Sequence, residues 1–275
     1  MKKLKINAVL FYTLCVSLFF GCEEVIDVDV PDAGVRLVVD ASIIWQKGTD
    51  GQQQTIRLKE STSYFSDEPD VAVVGASVTV TKDDDSQQFV FTDQNNGDYS
   101  IDNFVPQLDQ SYTLEIEYNG KQYRANETLI PVNPINRVEQ TIEGGFGGDE
   151  IQLKVYFNDP ALVHNYYFCQ FSPRNMALAT WVILDDEFSD GNENSIEFDD
   201  EDLEAGIEVP IRLHGISEPY YNYLNQLLEQ ADDNGPFATT PSKLKGNCYN
   251  PNDPDEEVLG YFRLGEMDQT VHTIE

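Results

Sequence analysis

The sequence predicts a mainly β protein: an N-terminal immunoglobulin-like β-sandwich followed by a second β-rich domain carrying one amphipathic helix. Three observations predict it. Short runs of alternating polar and apolar residues recur from Val35 onward, and turn residues punctuate them. Only one stretch, near 218–231, spaces its apolar residues as a helix does. Beyond the leader, about 250 residues leave room for one large all-β domain or two ordinary ones.

The leader comes first. Lys2, Lys3 and Lys5 precede an uncharged, mostly apolar run from Ile6 to Phe20, then Gly21, Cys22, Glu23 and Glu24. A basic start, a short apolar core and a small residue before the cut make residues 1–21 a secretory signal. The run falls short of the roughly 20 residues a membrane span needs. A cysteine directly after that small residue offers its thiol for acylation, so Cys22 is the expected lipidation site, palmitate-type chains included. Two or more acyl chains anchor a protein stably where one does not. The alternative is an ordinary signal peptide cut elsewhere, with Cys22 a spare thiol. Residues 22–33 (CEEVIDVDVPDA) then read as an acidic tether.

Residues 34–131 carry the expected sandwich. Val35–Trp45 is rich in β-branched residues, and Thr55–Leu58 alternates. Ala76–Thr81 points Val78 and Val80 to one face, and Gln88–Thr92 and Tyr99–Ile101 continue the pattern. Ser111–Tyr118 alternates again, and Asn119-Gly120 separates it from Lys121–Thr128. Asn-Gly between two such runs is a strong hairpin signal, because both central residues of that turn need positive φ. About seven short strands at this spacing describe a sandwich of immunoglobulin size, without the Cys…Trp…Cys framework. Pro131–Asn136 (PVNPIN) marks the boundary, since its two prolines cannot donate to a ladder.

Residues 132–275 are less regular. Ile151–Phe157, Tyr166–Phe171, Thr180–Leu184, Val209–Leu213 and a final Val258–Leu264 read as strands, and Asp185–Glu204 reads as an acidic insertion too polar to bury. The helix is legible from its start: Ser217 can cap it, Glu218 suits its positive end, and Pro219 is tolerated in the first turn. Tyr220, Leu224, Leu227, Leu228 and Ala231 share one face, and Asn234-Gly235-Pro236 ends the pattern.

Charge narrows the function. Lys and Arg total 17 against 49 acids, a net −32; removing residues 1–21 takes away three lysines and no acid, which leaves −35. Such a chain lacks the cations that neutralise a phosphate backbone, so nucleic acid is excluded as a partner. Of the four cysteines, Cys169 and Cys248 remain for the folded body, and export makes them a candidate disulfide, with two buried thiols as the alternative.

Four acidic clusters lie at 83–85, 185–187, 199–202 and 253–257, and none has the spaced loop of an EF-hand. Solvated loops account for them, with Asp199, Asp200 and Asp202 kept as the calcium candidates. No metal site is established, and no other cofactor is implied. No catalytic residues are assigned, because His164, His214 and His272 are scattered and the sequence holds no nucleophile elbow, phosphate loop or His-Glu-x-x-His. Gly144–Gly148 is glycine-rich but precedes a strand. Tyr64, Phe65 and Tyr221 are the candidate ligand-contact aromatics, since such rings give contact area at low entropic cost.

With these pieces in place, the whole chain resembles the Bacteroidetes-type outer-membrane lipoproteins grouped as domain of unknown function 4249. The resemblance rests on Gly21-Cys22 and CEEVIDVDV leading to Leu37-Val38-Val39, on Gly75–Val80 (GASVTV), and on Asn96–Tyr99 (NGDY). It continues through Tyr112-Thr113-Leu114 with Asn119-Gly120-Lys121, then Gly246-Asn247 followed by Val258–Phe262. The family implies a sandwich plus a second β-rich domain, and genes beside SusC-like TonB-dependent receptors. The expectation is therefore a lipid-anchored outer-membrane protein facing the cell surface, acting as a non-catalytic accessory or binding subunit of a TonB-dependent transport system. A periplasm-facing orientation stays open. A stand-alone adhesion or matrix-binding module is the alternative, and a glycan hydrolase a third.

Overall fold

The computed structural model describes residues 34–62, 71–145, 147–232 and 243–275. The expected leader 1–21, the expected lipidation site Cys22 and the candidate aromatics Tyr64 and Phe65 lie outside these ranges. The first lobe contains β1 (Leu37–Gln46), β2 (Gln54–Glu60), the two-residue β3 (Val71–Ala72), β4 (Ser77–Lys82), β5 (Gln88–Asp93), β6 (Asp98–Ile101), β7 (Ser111–Tyr118) and β8 (Lys121–Thr128). Alternation becomes packing here. Val78 and Val80 of β4 and Tyr112, Leu114 and Ile116 of β7 turn inward to meet Val39, Ile43, Ile56, Leu58 and Phe91 in one buried cluster. Their polar neighbours in sequence face outward, as a period of two requires.

The β7–β8 hairpin has full register from Ser111↔Thr128 to Tyr118↔Lys121. Its turn residues Asn119 and Gly120 both have positive φ, 51° and 76°. β5 changes partner part-way: Gln88–Phe91 pair with β4, while Thr92 and Asp93 pair with β6. That switch carries the ladder around from one layer of the sandwich to the other.

The second lobe contains β9 (Ile135–Gly144), β10 (Glu150–Asn158), β11 (Tyr166–Phe171), β12 (Thr180–Asp185), β13 (Glu193–Asp199), β14 (Glu208–Ile216), helix α1 (Glu218–Asp232) and β15 (Leu259–Thr273). β13–β10–β9 form a three-stranded sheet, and its inner face packs on β11 and β14 around Leu153, Phe157, Tyr167, Phe171 and Leu213. The expected acidic insertion is corrected at this point. Within 185–204 lies β13, whose Ile196 and Phe198 are buried while Glu193, Glu197 and Asp199 face water. A strand with one wet face hides half its residues from any average of polarity. β9 is longer than any apolar run in its sequence, because half of its residues are exposed and of the ten only Gly144 is buried.

β15 joins the lobes. The expected strand Val258–Leu264 continues to Thr273. Its first half runs parallel to β1, Val38↔Leu259 to Gln46↔Met267, and its second half runs antiparallel to β14, His214↔Met267 to Glu208↔Thr273. The proline-rich crossing is fastened to the same strand. Glu266, buried, accepts the Val132 amide at 3.0 Å and the Lys47 ammonium at 2.7 Å, and Asp268 accepts the Ile135 amide at 2.7 Å. Gly215 is required where the crossing passes, since a Cβ there would meet the carbonyl of Pro131.

Helix α1 starts as its sequence indicates. The Tyr220 amide donates to the Ser217 hydroxyl at 3.3 Å, and that hydroxyl donates to the buried Glu127 at 2.9 Å. Tyr220 and Leu224 pack on Phe168, Ile216 and Tyr261. The disulfide expectation is also corrected: Cys169 and Cys248 are both free and buried. Cys169 belongs to the second lobe's core and Cys248 to the sandwich core, so separate apolar clusters hold them apart. Burial pushes both thiols up, Cys248 to about 12, so neither is a ready nucleophile.

Candidate functional site

The most concentrated chemistry among the described residues lies where β10 and β12 end and β13 begins. Asp159 follows β10, Asp186 follows β12, and Asp190 sits in the turn that leads into β13. One carboxylate oxygen from each lies within 4.8 Å of the others. Asp186 is 1% exposed and Asp159 6%, while Asp190 is open to solvent.

The surrounding loops hold these carboxylates in place. Tyr167 donates its hydroxyl to Asp159 Oδ1 at 2.5 Å, and the Gly191 amide donates to Oδ2 at 3.0 Å. The Asn165 amide reaches Asp186 Oδ2 at 2.9 Å, and His164 Nε2 stands 3.2 Å from Oδ1. The Leu162 amide donates to Asp190 Oδ1 at 2.8 Å. Burial holds the Asp186 carboxyl above its ordinary range and the charge of Asp159 adds to this, while the Asn165 amide and His164 oppose it. Burial, then Asp159, pushes the Tyr167 hydroxyl up in the same way.

Two buried carboxylates at this range ease their repulsion by sharing a proton or by meeting a cation. Oxygen-only donors suit a hard ion such as calcium, so these are the residues able to hold one. In the sequence Asp186 stands in an acidic cluster, whereas Asp159 is a single acid in Phe157-Asn158-Asp159-Pro160. No spacing marks it, because Asp186 and Asp190 share the turn between β12 and β13, while Asp159 reaches them only where the chain leaves β10 beside the start of β13.

The expected calcium residues are disposed differently. Asp199 spends its carboxylate on the Gly145 amide at 3.1 Å and the Gln152 side chain at 3.5 Å, and Asp200 takes the Asp202 amide at 2.9 Å. They shape the turn after β13, and the converging group does not include them. Tyr221 is half-buried rather than free: its hydroxyl donates to Asp185 at 3.2 Å and its ring lies 5.0 Å from that of Tyr166. Among the histidines, His214 is buried and stacks on Phe168, with 5.2 Å between centroids.

Against known families, the sequence matches the one described as Domain of unknown function (DUF4249) over residues 23–270. The chain belongs to the DUF4249 family. No curated protein matches this DUF4249 chain. Among solved structures it is similar to a two fibronectin type-III domain segment from chicken tenascin, at 10% identity and a TM-score of 0.22, covering 60% of this chain and 83% of that one. It is also similar to a DUF4785 family protein from Legionella pneumophila, at 10% identity and a TM-score of 0.27, covering 66% and 52%. A cytokine receptor complex chain matches at 9% identity and a TM-score of 0.26, covering 64% and 82%.

Proposed function

We propose that this DUF4249 protein is a lipid-anchored, surface-exposed binding subunit of the outer membrane, held by Cys22 beside a SusC-like TonB-dependent receptor. The observation that carries the binding reading is β15. Because β15 pairs with β1 of one lobe and β14 of the other, backbone hydrogen bonds tie the two lobes into one sheet, which suits a docking or capture protein. The leader supports the anchor, since Gly21-Cys22 directly follows its basic start and apolar run. A net charge of −32 favours solubility and suits basic patches on a partner.

Two measurements test this. Cys22→Ala should move the protein out of the membrane fraction, and retention there would refute the anchor. Gentle detergent extraction should co-purify the wild type with an outer-membrane barrel, and reproducible failure to do so would refute the partner. A stand-alone adhesion module would instead keep its ligand in a strain lacking the receptor.

A further inference from the structure

A second surface is set apart by chemistry that is present but unspent. The outer face of β2, β6 and β5 forms a groove of about 850 Å³. Register explains its shape. β5 stays on β6 only through Thr92 and Asp93, while its earlier residues pair with β4, so the two strands splay apart beyond Thr92.

Register also orders the side chains into rows. Thr55 lies opposite Ser100, and Ser100 opposite Thr92, which places three outward hydroxyls side by side. With neighbouring strands about 4.8 Å apart, that row is about 10 Å long. One step along the strands come Gln53 and Asp102, with Asn103 next to them. Among the described residues, no side-chain hydrogen bond engages Gln53, Thr55, Thr92, Ser100, Asp102 or Asn103. Elsewhere on the sandwich, outward polar groups satisfy each other: Ser111 and Thr128 bond at 2.9 Å, and Asn126 and Thr113 both donate to Asp83. The Arg57–Asp98 pair, at 2.6 Å, occupies the neighbouring row.

The lining selects a ligand by charge and by hydrogen bonding. It contains no Lys or Arg to hold an anion, and a single carboxylate is a poor cation site. Exposed apolar side chains are limited to Val90 and part of Ile101, so the groove does not favour a lipid. In a chain with 49 acids, this is a field of hydroxyls and amides with one carboxylate, and apart from Gln54, whose amide is spent on Ile44 and Gly51, its hydroxyls and amides can donate and accept. Vicinal hydroxyls on a ligand need that pairing, and Asp102 can accept from two of them. We propose that this face binds a neutral carbohydrate chain lying across the Thr55–Ser100–Thr92 row. The assignment gives the binding role above a ligand class; it rests on that role but not on the anchor or the receptor.

Affinity electrophoresis of the full-length protein in mild detergent tests it, with dextran, mannan, xylan or laminarin cast into the gel. The high negative charge drives strong migration, so binding is read as retardation. At least one of these neutral polysaccharides should retard the wild type. The triple variant Thr55→Val, Ser100→Ala, Thr92→Val should bind at least tenfold more weakly. Ser111→Ala with Thr128→Val, on β7 and β8, should bind as the wild type does. Matching denaturation midpoints establish that the variants are folded. No retardation by any of the four, binding that survives the triple variant, or retardation by anionic polygalacturonate alone would overturn the assignment. Membrane fractionation of Cys22→Ala reads the anchor separately, so the two failures cannot be confused.

Discussion

Glu266→Ala removes the carboxylate that fastens the inter-lobe crossing to β15. Two partners lose it. The Val132 amide, otherwise buried, is left without an acceptor, which costs about 1–3 kcal/mol. The Lys47 ammonium loses a charge-assisted bond worth about 1.5–3 kcal/mol when shielded, and less here because its side chain is 29% exposed. The total expected is about 3 kcal/mol. Glu266→Gln keeps an acceptor for both donors and loses only the charge, so about 1 kcal/mol is expected by the same reasoning. The assay is equilibrium urea denaturation followed by tryptophan fluorescence. Trp45 sits at the end of β1 and Trp181 on β12, so Trp45→Phe and Trp181→Phe each leave one reporter in one lobe. Because β15 belongs to both lobes, the two reporters should give the same midpoint in the wild type and fall together in Glu266→Ala. A loss under 1 kcal/mol, or two separated transitions in the wild type, would refute the account of a single welded body.

Three further outcomes follow from particular residues. His214 is held well below 6.5 by burial first and by Arg263 and Arg212 next, and neither ring nitrogen has a hydrogen-bond partner among the described residues. Its pKa is lower folded than unfolded, so the stability it contributes is present above about 6.5 and is lost as pH falls toward the folded value. Each pH unit in that window costs up to about 1.4 kcal/mol. His214→Phe keeps the stack on Phe168 and should show a shallower acid loss; equal pH slopes in the two proteins would exclude His214 as the cause. Gly215→Ala drives a Cβ into the Pro131 carbonyl and should cost about 1–3 kcal/mol of unfolding free energy, read by urea denaturation. Asp186→Asn removes one of two adjacent buried carboxylates while keeping an acceptor for the Asn165 amide, and should raise the melting temperature at neutral pH.

Much of the fold was legible where local pattern and final burial agree. β7 and β8 occupy the segments their alternation marks, and the Asn119-Gly120 turn has the two positive φ values its chemistry calls for. The helix begins at the Ser217 cap for a similar reason, since its start depends on neighbours within one turn. β13 and β9 were not legible: β13 alternates two buried apolar residues with a wet face inside an acidic stretch, and β9 carries few buried residues between a proline-rich crossing and a glycine-rich loop. The converging aspartates were hidden more deeply. Asp159 and Asp186 are 27 positions apart, and only the meeting of three strand ends brings them together.

By itself, the sequence determined what depends on near neighbours: the β character, the hairpin, the helix start and the strong negative charge. The tertiary structure alone decided what depends on register and on who pairs with whom. It gave β15 to both lobes, put Cys169 and Cys248 in different cores, and lined up Thr55, Ser100 and Thr92 from three strands. Strand pairing is set by hydrogen bonds between segments distant in the chain. Shifting a register by one residue would exchange the two faces, and no local pattern records which partner a strand will find.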